Sequence, residues 1–141
     1  MAAAVLALME KRVLDFSSLI TGSSLDVVVA QRVEIWTWRE VALKTRLHSN
    51  SIASGAGSIQ IGWAPESWSE QEPDVAFIGV AGFTFLTAMD STIVAPRTFV
   101  DSIPVLGSPA CSDYVRLIAR GTRSATGTIK AELSLEFDCK S

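Results

Sequence analysis

The sequence predicts an all-β domain: an antiparallel β-sandwich of the jelly-roll or a related Greek-key kind, with seven to nine short strands. Three observations carry that reading. Apolar and polar residues alternate with period two almost throughout, the repeat of a strand whose side chains point to opposite faces. All five prolines, Pro65, Pro73, Pro96, Pro104 and Pro109, fall between strand candidates. Turn-forming residues recur at the short spacing expected of a sandwich.

In chain order, residues 1–16 form an apolar arm or a short helix, because Val5, Leu8, Met9, Arg12 and Val13 fit neither period cleanly. Residues 17–141 then make one sandwich domain. Val27–Ile35 is rich in β-branched residues and reads as a strand. Val41, Leu43, Thr45 and Leu47 alternate with Ala42, Lys44, Arg46 and His48, which describes a strand with one apolar and one polar face. After the Ser/Gly loop Asn50–Gly57, Ser58–Trp63 is short and apolar. Val75–Val80 and Phe83–Thr87 follow, with Gly82 as a bulge or turn between them. Arg97–Val100 suits an edge strand. Tyr114–Arg120 is expected to pair with the last strand through the seven-residue loop Gly121–Gly127. That last strand has the clearest pattern. Ile129, Ala131, Leu133, Leu135, Phe137 and Cys139 share one face, and Thr128, Lys130, Glu132, Ser134, Glu136 and Asp138 share the other.

Composition bears on how such a domain is used. The chain has 141 residues, enough for one domain with a core of its own. Charged residues are 19% of it and hydrophobic residues 48%, against the roughly 25% charged residues of an ordinary soluble domain. A small domain has much surface per unit volume, so a shortage of charge predicts that part of the surface is covered by other subunits. The net charge is −3, and residues 1–70 and 71–141 carry nearly the same charge. Nucleic-acid binding needs a basic patch to neutralise phosphates, so nucleic acid is not an expected partner.

Cys111 and Cys139 have no His or Cys at ligand spacing, and no metal or redox motif can be drawn from them. They read as two buried thiols or as a disulfide pinning the last strand. The leading Met1–Met9 run lacks a basic region before it, and Glu10, Lys11 and Arg12 stand where a signal peptide would be cleaved. The run Val75–Met89 is too short for a membrane-spanning helix, so no membrane association is expected.

Few residues point to catalysis. His48 is the one histidine, on the polar face at a strand end, with Ser49 and Ser51 as mere sequence neighbours. The phosphate-loop, dinucleotide-loop, serine-elbow and zinc-helix motifs are missing from the sequence. Glu66, Glu70, Glu72 and Asp74 lie in a proline-bounded loop. Such carboxylates suit solvation better than a glycosidase pair, and they lack the spacing of a calcium loop. No cofactor, metal or catalytic residue is expected.

The tryptophans and the arm are the candidate interface: Val5, Leu6, Leu8, Met9, Trp36, Trp38, Trp63 and Trp68. Trp36 and Trp38 share a strand face, where they either fill the core or stack on a sugar. Trp63 and Trp68 flank the acidic loop, and Trp68 is expected to be exposed. The apolar arm needs something to hold it, either its own sheet or a neighbouring subunit.

The stretch Trp38-Arg-Glu-Val-Ala-Leu-Lys-Thr-Arg-Leu-His-Ser-Asn-Ser-Ile-Ala-Ser-Gly-Ala56, with Pro65 and Glu72-Pro-Asp-Val-Ala-Phe77 after it, resembles small virion structural proteins of tailed bacteriophages. The likeness is in organisation: a short apolar arm, then an acidic β-sandwich without catalytic motifs. It implies a non-enzymatic structural subunit of a phage-type particle that decorates or stabilises the capsid through subunit–subunit contacts. Its partners would be further copies of itself and a major capsid or other virion protein. Its location would be the virion, assembled in the host cytoplasm. The alternative is a carbohydrate-binding β-sandwich module that uses the paired tryptophans, with a glycan as ligand.

Overall fold

A computed structural model of the chain describes residues 3–35, 37–66, 84–103 and 114–141. These form eight strands: β1 Ala3–Asp15, β2 Ser24–Glu34, β3 Glu40–Asn50, β4 Gly57–Glu66, β5 Thr84–Met89, β6 Arg97–Ile103, β7 Tyr114–Arg123 and β8 Lys130–Lys140. All neighbouring strands run antiparallel, in two four-stranded sheets of order β1-β8-β3-β6 and β2-β7-β4-β5. The pairings nest: β1 with β8, β2 with β7, β3 with β6, β4 with β5. The ladders β3–β8 and β4–β7 then join the nested pairs into the two sheets.

Period two explains the central strands of the first sheet. Ile129, Ala131, Leu133, Leu135, Phe137 and Cys139 of β8 are all buried, as are Val41, Leu43, Thr45 and Leu47 of β3. Opposite them, the second sheet contributes Ile59, Ile61 and Trp63 from β4 and Val115, Leu117 and Ala119 from β7 to the same core. The two inner faces thus share one apolar layer in a sandwich-like arrangement. Burying a side chain of this size stabilises the fold by about 1.5–3 kcal/mol relative to leaving it wet.

The four connections 16–23, 51–56, 90–96 and 124–129 gather at one end and are bonded in sequence around it. The first is tied to the last through Phe16 N–H to Ile129 O and Gly22 N–H to Arg123 O. The last is tied to the second through Ala53 N–H to Thr128 O and Ser124 N–H to Ala56 O. Asn50, at the end of β3, joins the third: its Nδ2 donates to Asp90 O at 2.9 Å and Ile93 O at 2.8 Å. Arg123 binds the end from within. It is 5% exposed, and its guanidinium donates to the carbonyls of Ser17, Ala125 and Gly127. Close approaches need glycine here: a Cβ on Gly57 would stand 2.0 Å from Thr122 O, and one on Gly121 would stand 2.1 Å from the Phe16 ring.

Several sequence expectations are corrected. Residues 3–15 are a strand, neither a free arm nor a short helix: β1 pairs along its length with β8. Two register shifts, between Ala7 and Met9 and between Met9 and Arg12, break the alternation, and this is why neither period fitted. The expected β7–β8 hairpin does not form. β7 lies between β2 and β4, and β8 lies between β1 and β3. β7 buries Ile118 on its outer face as well as Val115, Leu117 and Ala119. A loop of this length readily crosses the roughly 10 Å between packed sheets. Pro65 falls inside β4, opposite Val115, beyond the last rung that β4 makes with β5 at Trp63–Thr84. Only β7 is a described neighbour there, a place where a missing N–H is tolerated. The Val75–Val80 strand, Gly82 and Phe83, the carboxylates Glu70, Glu72 and Asp74, and Cys111 lie outside the described residues.

Candidate functional site

The eight interface candidates separate in the structure. Trp63 is 5% exposed and belongs to the core, so its ring cannot anchor a partner. Met9 is buried too, and Leu6, Leu8 and Trp38 are half-buried against the core. Val5 is exposed, on the outward side of β1 opposite Asp138. Trp36 and Trp68 lie outside the described residues. The structure therefore does not bring the tryptophans together as an exposed platform among the described residues.

What the structure leaves open is the perimeter. The large apolar side chains exposed among the described residues are Val5, Val13, Ile20, Leu25, Val28, Val94 and Val100. Val5 and Val13 are on β1, Leu25 and Val28 on β2, and Val100 on β6, and each of these strands is at the edge of its sheet. Ile20 and Val94, each 79% exposed, cap two of the connections at the bonded end. The central strands β3, β8, β4 and β7 contribute none of the seven.

Between the edge strands the outer faces are polar by contrast. On the first sheet, Lys44 Nζ meets Asp138 at 2.6 Å and Arg46 meets Glu136 at 2.8 Å, so β3 and β8 neutralise each other. On the second, Arg120 holds Asp26 with two hydrogen bonds, of 2.6 and 2.9 Å, and its guanidinium lies 4.6 Å from the centre of the Phe85 ring. The Arg120 hydrogen bond holds the Asp26 carboxyl below its ordinary value of 3.8. Among the described residues, the outer faces are thus ion-paired over the central strands and apolar along the edge strands, which form the rim.

The rim's edges are not alike. β1 has its two register shifts, and Lys11 sits there in the left-handed region at φ 36°. β2 has two shifts against β7, with Arg32 at φ 55°. β5 has one shift against β4. The β3–β6 ladder runs from Val41–Ile103 to Leu47–Arg97 without any. Bulges twist an edge away from further pairing, so among the described edge strands it is β6 that keeps a regular edge.

One polar cluster escaped the sequence reading. His48 Nε2 lies 2.7 Å from Ser134 Oγ, and that oxygen also accepts the Lys11 amide N–H at 2.9 Å. Ser134 is 86 residues away in the chain, whereas Ser49 and Ser51, the sequence neighbours, are not bonded to His48. The only available signal was that both residues stand on the polar faces of strands that turn out to be adjacent. A Ser–His pair has the two members of a nucleophilic dyad, which to act further needs an orienting group and oxyanion donors. Here the nearby amide donates to the serine oxygen itself, which holds the β1 bulge against β8. Elsewhere, burial and the neighbouring Asp138 push the Cys139 thiol up, leaving it a buried free thiol.

Neither a protein-family model nor a curated protein sequence matches the chain.

Proposed function

We propose that this chain is a non-enzymatic coat subunit of a virion: a small jelly roll that works through contacts between its rim and further subunits. The observation that carries the reading is the strand order. A long hairpin that pairs β1 with β8, β2 with β7, β3 with β6 and β4 with β5, then rolls up, yields β1-β8-β3-β6 facing β2-β7-β4-β5, the order in this chain. Eight-stranded jelly rolls recur in viral capsid domains, in lectins and in cupins.

The rim supports the first of these. A shell unit needs apolar surface along its sides, because its neighbours lie beside it. Chemistry at a cupin centre draws on clustered histidines, and this chain has one. The lectin alternative needs an aromatic platform, yet Trp63 lies inside the core and Trp38 packs against it. The narrower setting, decoration of a phage capsid, rests on the sequence resemblance. The rim supports any particle built from lateral contacts.

Mass photometry and negative-stain microscopy of the purified chain test the proposal. Uniform closed assemblies, or stoichiometric binding to a capsid lattice, are expected. A chain that neither assembles nor binds a lattice, and that instead gives a saturable hit in a glycan screen, would sink the coat reading in favour of the carbohydrate one.

A further inference from the structure

We infer that the β6 edge is a two-fold docking strand, and that its occupant is β6 of a second copy, paired antiparallel about Val100. Two such strands would join the first sheets of two copies into one continuous eight-stranded sheet. The inference goes beyond the coat reading, since a pair of copies needs no particle.

Three observations carry it. The first is edge protection. Folded proteins blunt exposed edges with bulges and left-handed residues, and β1, β2 and β5 all carry register shifts in their ladders. β6 carries none, so its row of backbone donors and acceptors stays straight enough to take another strand.

The second is composition. β6 reads Arg97-Thr-Phe-Val-Asp-Ser-Ile103, rich in β-branched and aromatic residues, and Val100 at its midpoint is 60% exposed.

The third is self-complementarity. Centring the pair on Val100 uses all seven positions. Val100 then faces Val100 of the other copy, and Thr98 faces Ser102. On the inner side Phe99 faces Asp101, and Arg97 faces Ile103. Arg97 and the other copy's Asp101 become diagonal neighbours, at the roughly 7–8 Å that long side chains span. Two-fold symmetry repeats that opposite-charge pair, so both ends of the joint are complementary. Within one copy, Arg97 lies over the Phe99 ring, 4.7 Å from its centre, and Asp101 accepts a hydrogen bond from Thr87. The guanidinium is therefore free to turn to a carboxylate without breaking an ion pair.

The test is sedimentation equilibrium of the wild-type chain beside Val100→Glu, Arg97→Glu and Gln60→Glu. Val100→Glu places a carboxylate next to Lys44 in its own copy, which the fold tolerates, but opposite itself across the axis. Arg97→Glu sets acid against acid twice. Both are expected to weaken the wild-type dimer by about tenfold or more, because like charges directly or diagonally opposite repel. Gln60→Glu, on β4 in the middle of the other sheet, should leave it unchanged.

The inference is overturned if the wild-type chain stays monomeric at high concentration, or if the two β6 variants dimerise as tightly as wild type while melting normally. A dimer that neither forms particles nor binds a capsid lattice keeps it and removes the coat reading. Particles that form equally well from Val100→Glu do the opposite.

Discussion

The bonded loop end and the outer faces of the sheets both place charged and polar side chains, but they do so in opposite ways. At the loop end, Arg123 is buried among carbonyls of residues 17, 125 and 127, and Gly57 and Gly121 let backbone and ring approach within distances that no Cβ permits. On the faces, Lys44–Asp138, Arg46–Glu136 and Asp26–Arg120 are pairs of long, half-wet side chains. Water can replace a partner on a face. It cannot enter the loop end without loosening it. The lesson is that a charge matters to this fold according to how dry its partners are.

Arg123→Ala is the hardest test of that contrast. It strands three carbonyls and opens a hole where two connections meet, and a loss of about 3–5 kcal/mol in chemical denaturation is expected. A loss below about 1 kcal/mol would mean that the end is wetter than its burial indicates.

Gly57→Ala comes next, at about 2–4 kcal/mol, because the Thr122 carbonyl in its way is backbone and cannot rotate aside. Asn50→Ala removes two donors and the acceptor for the Ile52 amide. A cost of about 1–2 kcal/mol is expected, with faster hydrogen exchange confined to 51–56 and 90–96.

The smallest effect sharpens the other side of the comparison. Asp26→Asn should cost about 0.5–1 kcal/mol at neutral pH, the range of an exposed pair with good geometry. The folded carboxyl titrates below its ordinary 3.8. The wild-type advantage is therefore complete above that value and disappears as pH falls through the folded value. Denaturation of both proteins between pH 2 and 7 checks the sign; a gap that widened in acid would contradict it.

Much of the fold was legible because alternation is local. β3 and β8 announce their buried faces residue by residue, and each was assigned correctly from Val41–Leu47 and Ile129–Cys139. β6 was legible as an edge from its shortness. The candidate site was far less so. The four arm candidates were named together, and the sequence did not separate the exposed Val5 from the buried Met9; Trp63 was misplaced because an aromatic residue in an apolar strand reads the same whether its ring points inward or outward. The rim itself could not be read at all, since a residue's membership of it depends on which strands end up outermost.

By itself the sequence determined the all-β class, the inner faces of β3 and β8, and a composition low in charged residues. Only the tertiary structure decided that β7 and β8 belong to different sheets, that the leading segment is a strand, and that Ser134 meets His48. The physical reason is one of range. A strand's inner face is fixed by its own alternation, but its neighbours are fixed by which long-range pairings bury the most apolar surface at once, and no window along the chain contains that sum.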